Sequence, residues 1–367
     1  MMTLETPYIV IDMDKVHNNL RRMAEHCAAN RCRLRPHTKT HKIPELAKLQ
    51  LEYGAAGITV AKLSEAEVMA EHGIDDIFMA YPLVGEGRIR RAIALARKIR
   101  LICAADCYET AEAISRACAA EGVVLELRLE VDTGMHRTGI PYDDAVAEAV
   151  RLSALPGIRL QGIFTFRGLI CDGKTDADRK KCGHQEGALM ADLAERIRAA
   201  GVPLEDVSVG STPTGEFCAE VPGVTEVRPG TYIFQDMMQV NTQACGSTQE
   251  DVAAVVVSQV VSTCKPEVVV IDCGCKSLST DTGPGKAPYF LKGYGTVVGH
   301  PELVLSRLSE EHGMLEPEGP CTVHTGDLLE IIPNHICPTV NLFDRVYLKK
   351  DGAIYGTYEV KARGKNY

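Results

Sequence analysis

The sequence predicts an α/β fold, a (β/α)8 TIM-type barrel followed by a C-terminal β domain. Between residues 32 and 236, short β-rich runs alternate with segments whose apolar residues recur at the period of an α-helix. This alternation predicts a parallel sheet, and eight β-rich runs are the number that closes a barrel. The runs are 33–38, 57–61, 76–81, 100–105, 124–131, 159–166, 206–210 and 226–232.

An open doubly wound sheet is the alternative for the same alternation. Such sheets usually carry a glycine-rich turn after their first strand. The first turn of this chain is instead Pro-His-Thr-Lys, at residues 36–39. The longest helical segment, 176–200, repeats leucine or isoleucine every fourth residue, as Leu189, Leu193 and Ile197. We therefore expect the barrel.

The two ends of the chain predict a second domain. Residues 8–13 form a predicted strand, and Asp14 is a candidate cap for the helix that follows. After about residue 245, β-rich runs separated by Gly/Pro-rich turns replace the helical periods. We expect a barrel over residues 14–245 and a β domain composed of residues 1–13 and 246–367.

Composition restricts the classes of partner. The net charge of −9 argues against nucleic acid, because phosphate binding requires a basic surface. No apolar run is long enough to cross a bilayer, and no secretory signal is visible at the N-terminus. We expect a cytoplasmic protein without a membrane partner, whose 14 cysteines are reduced.

Lys39 is the first candidate for chemistry, because it ends the first predicted strand. In barrels, the carboxyl ends of the strands carry the functional loops. Its sequence neighbours include Arg35, His37, His41 and Lys42. Neighbouring positive charge and burial both lower the pKa of a lysine, and a partly neutral lysine can form a Schiff base with a carbonyl. A solvated basic loop is the alternative for this segment taken alone.

The loops after the seventh and eighth predicted strands are candidates for phosphate binding. Barrels frequently bind phosphate at these two positions, using backbone N–H groups and small hydroxyls. Each loop alone is equally typical of a turn. Together with a Schiff-base lysine, they indicate pyridoxal 5'-phosphate as the cofactor. The residues are Gly210, Ser211 and Thr212 in one loop and Gly230, Thr231 and Tyr232 in the other.

His335 and Cys337 are candidate metal ligands. In an extended segment, residues two apart face the same side, so the imidazole and the thiolate can reach one ion. This pair suits zinc first, and manganese, cobalt or magnesium remain possible. Two protein ligands would leave positions open for water or substrate. The alternative is a buried histidine beside a buried cysteine.

The segment 35–42, Arg-Pro-His-Thr-Lys-Thr-His-Lys, resembles the cofactor-lysine motif of alanine-racemase-like (fold-type III) pyridoxal-phosphate enzymes. Within that group, the chain is similar to the D-serine dehydratase / D-threonine aldolase family. The similarity extends over essentially the whole chain, at residues 63–67, 80–83, 131–134, 210–213, 228–232 and 333–342. It implies a barrel with a β domain and, usually, a homodimer.

The resemblance also implies roles for single residues. Lys39 would hold the cofactor and act as the catalytic base, with His37 at the cofactor site and Arg137 near the pyridine nitrogen. The loops at 210–212 and 230–232 would hold the phosphate, and the pair His335 and Cys337 the metal. The chain departs from the family at 165–169, Thr-Phe-Arg-Gly-Leu, where aldolase members tend to carry a tyrosine–glycine–histidine context.

The implied function is a metal-activated pyridoxal-phosphate lyase that acts on small D-β-hydroxy-α-amino acids. Dehydration of the D-serine type, giving a 2-oxo acid and ammonia, is favoured. The alternative is aldol cleavage of D-threonine or D-3-hydroxyaspartate to glycine and an aldehyde. Two further classes remain open, an amino-acid racemase, which would not need the metal, and a non-catalytic cofactor-binding protein, which is usually a bare barrel.

Overall fold

A computed structural model describes residues 4–367. Its strands are β1 (Tyr8–Asp12), β2 (Arg33–Leu34), β3 (Ile58–Val60), β4 (Asp76–Pro82), β5 (Arg100–Ala105), β6 (Leu125–Asp132), β7 (Ile140–Pro141), β8 (Ile158–Phe164), β9 (Ile170–Cys171), β10 (Lys174–Thr175), β11 (Asp206–Val209), β12 (Glu226–Val227), β13 (Ala254–Lys265), β14 (Val268–Ile271), β15 (Gly295–Val297), β16 (Leu303–Leu308), β17 (Gly313–Pro317), β18 (Leu328–Pro333), β19 (Arg345–Lys350) and β20 (Ala353–Glu359). Its α-helices are α1 (Met13–Ala29), α2 (Pro44–Glu52), α3 (Leu63–Glu71), α4 (Glu86–Ala96), α5 (Tyr108–Ala120), α6 (Ala145–Ser153), α7 (Arg179–Ala199), α8 (Gly215–Ala219), α9 (Met237–Asn241) and α10 (Ile336–Val340).

The chain divides into two compact units. The barrel unit contains Arg22–Lys39, Pro44–Gly230 and Gly364–Tyr367. The β unit contains the described residues up to Arg21, together with Thr40–Ile43 and Thr231–Arg363. Neither unit is one continuous stretch of sequence.

The barrel unit contains one curled sheet of eight parallel strands. Starting from β2, the strands follow their chain order around the sheet as β3, β4, β5, β6, β8, β11 and β12, and β12 pairs with β2. A parallel bridge between His37 and Thr59 joins the chain beyond β2 to β3. A doubly wound sheet would reverse its strand order instead. The predicted (β/α)8 architecture is confirmed.

A network of ion pairs connects the amino ends of the barrel strands. Arg128 and Arg35 both donate to Glu226, from Nη1 over 2.6 Å and from Nε over 2.7 Å. Burial alone would raise the pKa of the Glu226 carboxyl, but the two guanidinium groups hold it well below its usual range. This network lies at the end of the barrel opposite the functional loops, and in such barrels that end serves stability. Its other members are Arg33, Asp76, Arg100 and Asp206, each the first residue of its strand.

The β unit is a nine-stranded sheet that pairs back on itself. The order is β14-β17-β16-β15-β18-β13-β1-β19-β20, and β14 also pairs with β13. The pairs are antiparallel except for β1 and β19. The strand predicted at residues 8–13 therefore lies inside this sheet, between β13 and β19. A buried cluster of this unit is formed by Met237, Met238, Val252, Leu291 and Ile332.

Two expected boundaries differ from the structure. The expected barrel ends at residue 245, but the chain joins the β unit from Thr231, because the methionines of α9 pack with the β-unit cluster. The expected barrel also begins at residue 14, yet Asn19 in α1 donates to the carbonyls of Ile233 and Asp251 in the β unit. The helix cap is Asp12 rather than Asp14, since its Oδ1 accepts from the Lys15 N–H over 3.2 Å.

No helix within residues 4–367 has the length and the apolar character that crossing a membrane requires. All 14 cysteines are free thiols in the structure.

Candidate active site

Lys39 lies in a short 3-10 turn, Thr38–Thr40, directly beyond the carboxyl end of β2. Its side chain is exposed, and its Nζ lies 5.7 Å from the centre of the Phe166 ring. The guanidinium carbon of Arg137 lies 5.1 Å from the centre of the same ring. The two cations therefore share one aromatic surface, supplied by the segment that follows β8.

His37 is a neutral imidazole beside this lysine. Burial lowers its pKa well below the ordinary value, and the positive charges of Lys39, Arg228 and Arg137 lower it further. Its Nδ1 accepts from the backbone N–H of Lys39 over 3.4 Å. The charges that surround the turn are thus partly those expected, but Arg228 was not among the predicted site residues.

The other basic neighbours of Lys39 in the sequence have different roles from those expected. Arg35 is neutralised by Glu226 and Asp76 in the barrel network. His41 and Lys42 belong to the β unit and are buried there. His41 Nδ1 accepts from Ile43 N–H over 3.0 Å, and Lys42 Nζ donates to Asn341 Oδ1 over 3.0 Å. The charge of Arg35 is therefore balanced by acids that lie far along the chain, which the sequence around Lys39 does not show.

Arg228 is the site residue that sequence reasoning missed in the barrel unit. It follows β12, is buried, and donates from Nη1 to Ser208 Oγ over 2.6 Å and from Nη2 to the carbonyl of Thr165. Burial lowers its pKa to about 10, although Glu226 acts in the opposite direction. Its place in the recognised segment 228–232 was the available signal.

The two predicted phosphate loops contact each other. The N–H of Gly230 donates to Thr212 Oγ1 over 3.2 Å, and the N–H of Gly210 donates to Glu186 Oε1 over 3.1 Å. Gly210 has φ +76° and its Cβ would lie 2.9 Å from Gly215 Cα, so a larger residue does not fit. Since both glycine N–H groups are engaged, the Ser211 and Thr212 hydroxyls are the better candidates for a phosphate.

The residues of the barrel unit fit an anionic aldehyde cofactor. Such a group requires an accessible amine, cationic neighbours and hydroxyl donors. Lys39 supplies the amine, Arg137 and Arg228 supply the charge, and the joined loops supply the hydroxyls. The two remaining predicted residues, Thr231 and Tyr232, belong to the β unit, where Tyr232 is buried.

His335 and Cys337 come together in the β unit, although the segment is not extended as expected. His335 is the cap of α10, and Cys337 lies in the first turn of that helix. Burial would raise the pKa of the Cys337 thiol, but the charge and the hydrogen bond of His335 lower it below its ordinary value. Asp281 accepts a hydrogen bond from His335 Nδ1 over 2.6 Å, which leaves Nε2 for the sulfur.

This imidazole and thiol fit a divalent metal with open positions. The hydroxyls of Thr40 and Thr231 lie 3.2 Å and 3.4 Å from the Cys337 sulfur, and the Thr231 hydroxyl also lowers the pKa of the thiol. Among residues 4–367, no group of three or more His, Cys, Asp or Glu side chains is placed to hold an ion. A metal here would have two protein ligands, with water or substrate completing its coordination.

Two buried side chains near the carboxyl ends of the strands have polar atoms without a hydrogen bond to any described residue. Glu130 accepts from Thr138 through Oε1 over 2.8 Å, but its Oε2 has no hydrogen bond. Arg167 is buried, and its Nε and Nη1 have none. Arg167 belongs to the segment 165–169, which is expected from the sequence to differ from the aldolase members of the family. Unsatisfied buried groups are uncommon in folded proteins and mark positions of strain or function.

A parallel eight-stranded sheet with a lysine just beyond its first strand, in a chain that also builds a mostly antiparallel β unit, is typical of the alanine-racemase-like class of enzymes. Residues 11–237 match the family described as alanine racemase, N-terminal domain. Residues 253–349 match a putative serine dehydratase domain. The chain belongs to this family, in the branch that contains D-serine dehydratase and D-threonine aldolase.

Its similarity to relatives is spread along almost the full length. D-threo-3-hydroxyaspartate dehydratase of Delftia sp. (strain HT23) is 34% identical over 373 residues, covering 96% of this chain and 97% of the relative. D-threonine aldolase of Arthrobacter sp. is 30% identical over 364 residues, covering 98% and 93%. A solved structure of D-threo-3-hydroxyaspartate dehydratase, a cysteine-to-alanine mutant in the metal-free form, is 33% identical with a TM-score of 0.87 and covers 97% of each chain.

Proposed function

We propose that this protein is a pyridoxal-phosphate- and divalent-metal-dependent lyase that removes water from D-β-hydroxy-α-amino acids. The observation that carries the proposal is the hydrogen bond between the His335 imidazole and the Cys337 thiol in the β unit. A racemase has no use for such a pair. Relatives of the chain are lyases by name, and one was solved as a cysteine mutant in a metal-free form.

The proposed reaction assigns a separate role to each of the site residues. When bound, pyridoxal phosphate stabilises negative charge at the substrate's α-carbon, and the metal polarises the β-hydroxyl as a Lewis acid. Lys39 holds the cofactor, and its Nζ accepts the α-proton once substrate has displaced it. His37, neutral and bonded to the Lys39 N–H, fixes the turn without adding a positive charge. His335 and Cys337 hold the metal through one nitrogen and one sulfur.

Elimination balances as the loss of the α-proton and the β-hydroxyl as one water, followed by hydrolysis that consumes one water. D-serine thus gives pyruvate and ammonia. The His-x-Cys pattern and the 34% identity to a dehydratase favour this reaction. Aldol cleavage is the second candidate, because a D-threonine aldolase is 30% identical over nearly the whole chain. It removes the hydroxyl proton instead and breaks the Cα–Cβ bond.

One experiment separates the reactions. Full-length protein is incubated with D-serine, D-threo-3-hydroxyaspartate and D-threonine, with and without a chelator, while 2-oxo acid, ammonia, glycine and aldehyde are assayed. We expect 2-oxo acid and ammonia in equal amounts, lost on chelation and restored by added metal. Cys337→Ser should remove this activity, and Cys275→Ser, at another free thiol of the β unit, should not. If glycine and an aldehyde are the products instead, the protein is an aldolase and the proposed dehydration is wrong.

The cofactor lysine has a separate test. Lys39→Ala should abolish the visible absorption band of the lysine-bound cofactor, because the variant lacks the amine that forms the Schiff base with the cofactor. Lys48→Ala is the matched control, since Lys48 is an exposed lysine of α2 in the same unit. A band that survives Lys39→Ala would show that the assignment of this lysine is wrong.

We further propose that the protein is a cytoplasmic homodimer. The support is the family resemblance, because it implies a cytosolic enzyme that is usually a homodimer. Light scattering after size-exclusion chromatography measures the mass against the 39.9 kDa of one chain, and cell fractionation locates the protein. A monomeric mass, or recovery outside the cytoplasm, would contradict the proposal.

A further inference from the structure

Asp281 lies in the segment 279–283, Ser-Thr-Asp-Thr-Gly, which carries no assigned role in the proposed function. Its Oδ2 is 2.6 Å from His335 Nδ1, across 54 residues of sequence. Its Oδ1 accepts from Ser279 Oγ, also over 2.6 Å. Both carboxylate oxygens are therefore engaged, and one of them is engaged by the candidate metal ligand.

The segment around Asp281 is held against the turn that carries His335. Asn334 Nδ2 donates to the carbonyl of Thr282 over 2.9 Å. The N–H of Ser279 donates to Thr339 Oγ1 over 3.3 Å, and that hydroxyl donates to the carbonyl of His335 over 2.8 Å. These contacts lie on both sides of Asp281 along the chain. They hold the backbone of the segment in place, and the backbone in turn positions the Asp281 carboxylate.

Packing alone does not orient the imidazole. The His335 side chain is 24% exposed and that of Asp281 is 49% exposed, so the Asp281 carboxylate is a hydrogen-bond partner that fixes the ring at its solvent-facing side. The bond to Asp281 occupies Nδ1, which leaves Nε2 as the ring nitrogen available to the Cys337 thiol, the other hydrogen-bond partner of the ring. Carboxylates paired with the second nitrogen of a ligand histidine select its tautomer and raise its basicity.

We propose that Asp281 is a positioning residue for the metal site, which orients His335 so that Nε2 and the Cys337 thiolate bind one divalent ion. This inference rests on the proposed metal-dependent function. Loss of such a partner typically weakens metal binding about 10- to 100-fold. Ser279, which holds the other carboxylate oxygen, has a smaller effect through Asp281.

The test is a titration of the chelator-treated, cofactor-loaded full chain with Co²⁺, followed by the thiolate-to-cobalt charge-transfer absorption. Asp281→Ala should lower the Co²⁺ affinity about 10- to 100-fold, with a smaller loss for Asp281→Asn, which keeps an acceptor oxygen. The matched control is Glu302→Gln, because Glu302 pairs with His300 Nδ1 over 3.0 Å in the same unit and should leave the affinity unchanged. Cys337→Ser, which removes the thiolate, should abolish the band.

The outcomes separate this inference from the function on which it rests. An absorption band that never forms, or that survives Cys337→Ser, overturns the metal site and the role of Asp281 together. A band that depends on Cys337 but has the wild-type affinity in Asp281→Ala overturns the role of Asp281 and leaves the function standing. Circular dichroism checks folding, and Asp281→Asn carries the test where the alanine variant does not fold.

Discussion

Glu226→Gln at the base of the barrel allows a quantitative test of the buried ion-pair network. Glu226 accepts from Arg128 Nη1 (2.6 Å) and Nη2 (3.3 Å), from Arg35 Nε (2.7 Å) and from Ser208 Oγ (2.6 Å). The glutamine variant has one acceptor oxygen, and its amide nitrogen would face a guanidinium donor. Each arginine keeps one other carboxylate, Asp206 or Asp76. Breaking a buried pair costs about 3–5 kcal/mol, and we expect a loss in that range at pH 7.

The loss should shrink in acid. The folded pKa of Glu226 is held below the ordinary 4.5, so its ionised form stabilises the protein above pH 4.5, and this contribution is lost as the pH falls toward the folded pKa. At 1.36 kcal/mol per pH unit, the wild type loses about 2 kcal/mol from this group between pH 4.5 and pH 3. The glutamine variant has no such group, so the difference between the two proteins should narrow by the same amount.

The assay is urea unfolding followed by circular dichroism at several pH values. Glu205→Gln is the matched control, because Glu205 pairs with Arg159 at the surface, where the two side chains are 60% and 45% exposed. It should lose at most about 1 kcal/mol. A Glu226→Gln loss as small as that of the control, or a difference from wild type that stays constant between pH 7 and pH 3, would refute the reasoning.

Two further substitutions test the packing around the site. Arg167→Met should raise the free energy of unfolding of the cofactor-free protein by about 1–3 kcal/mol. The reason is that an apolar side chain takes the place of a buried guanidinium group, two of whose nitrogens have no hydrogen bond. A lower melting temperature of the variant would contradict this prediction. Gly57→Ala should cost about 1–3 kcal/mol or more, since its Cβ would lie 2.2 Å from Arg35 Nη1 and 2.7 Å from the Asp76 carbonyl oxygen. Gly54→Ala is the control, because Gly54 also has a positive φ but its Cβ would have no atom within 4 Å. Equal losses of stability for the two variants in a thermal melt would show that backbone strain alone, and not the steric clash, destabilises Gly57→Ala.

The barrel could be predicted from the sequence because its elements are local. Strand and helix periods are properties of short windows, and the rule that links alternating elements to a parallel sheet does not require knowledge of distant contacts. Position at a strand's carboxyl end was enough to single out Lys39. The same rule identified the loops after the seventh and eighth strands, which the structure joins through Gly230 and Thr212.

What the sequence could not show depends on partners far along the chain. Arg35 lies four residues before Lys39 in the sequence, but its charge is balanced by two carboxylates that lie 41 and 191 residues further along the chain. Asp281 belongs to a turn that has no motif of its own, and only the fold brings it to His335. The extended conformation expected for His335 and Cys337 was wrong because the capping position of α10 bends the chain there. The pair converges all the same, since a cap and the first turn lie close together.

The division of the two units along the chain has a consequence for synthesis. The chain passes from one unit to the other after Arg21, Lys39, Ile43, Gly230 and Arg363. Strand β1 is synthesised long before its neighbours β13 and β19, which begin at residues 254 and 345. Its edges therefore stay unpaired while the whole barrel is made, and an unpaired apolar strand invites aggregation. A nascent chain stalled before β13 should depend on a chaperone, and neither unit can be obtained by cutting the gene at one point.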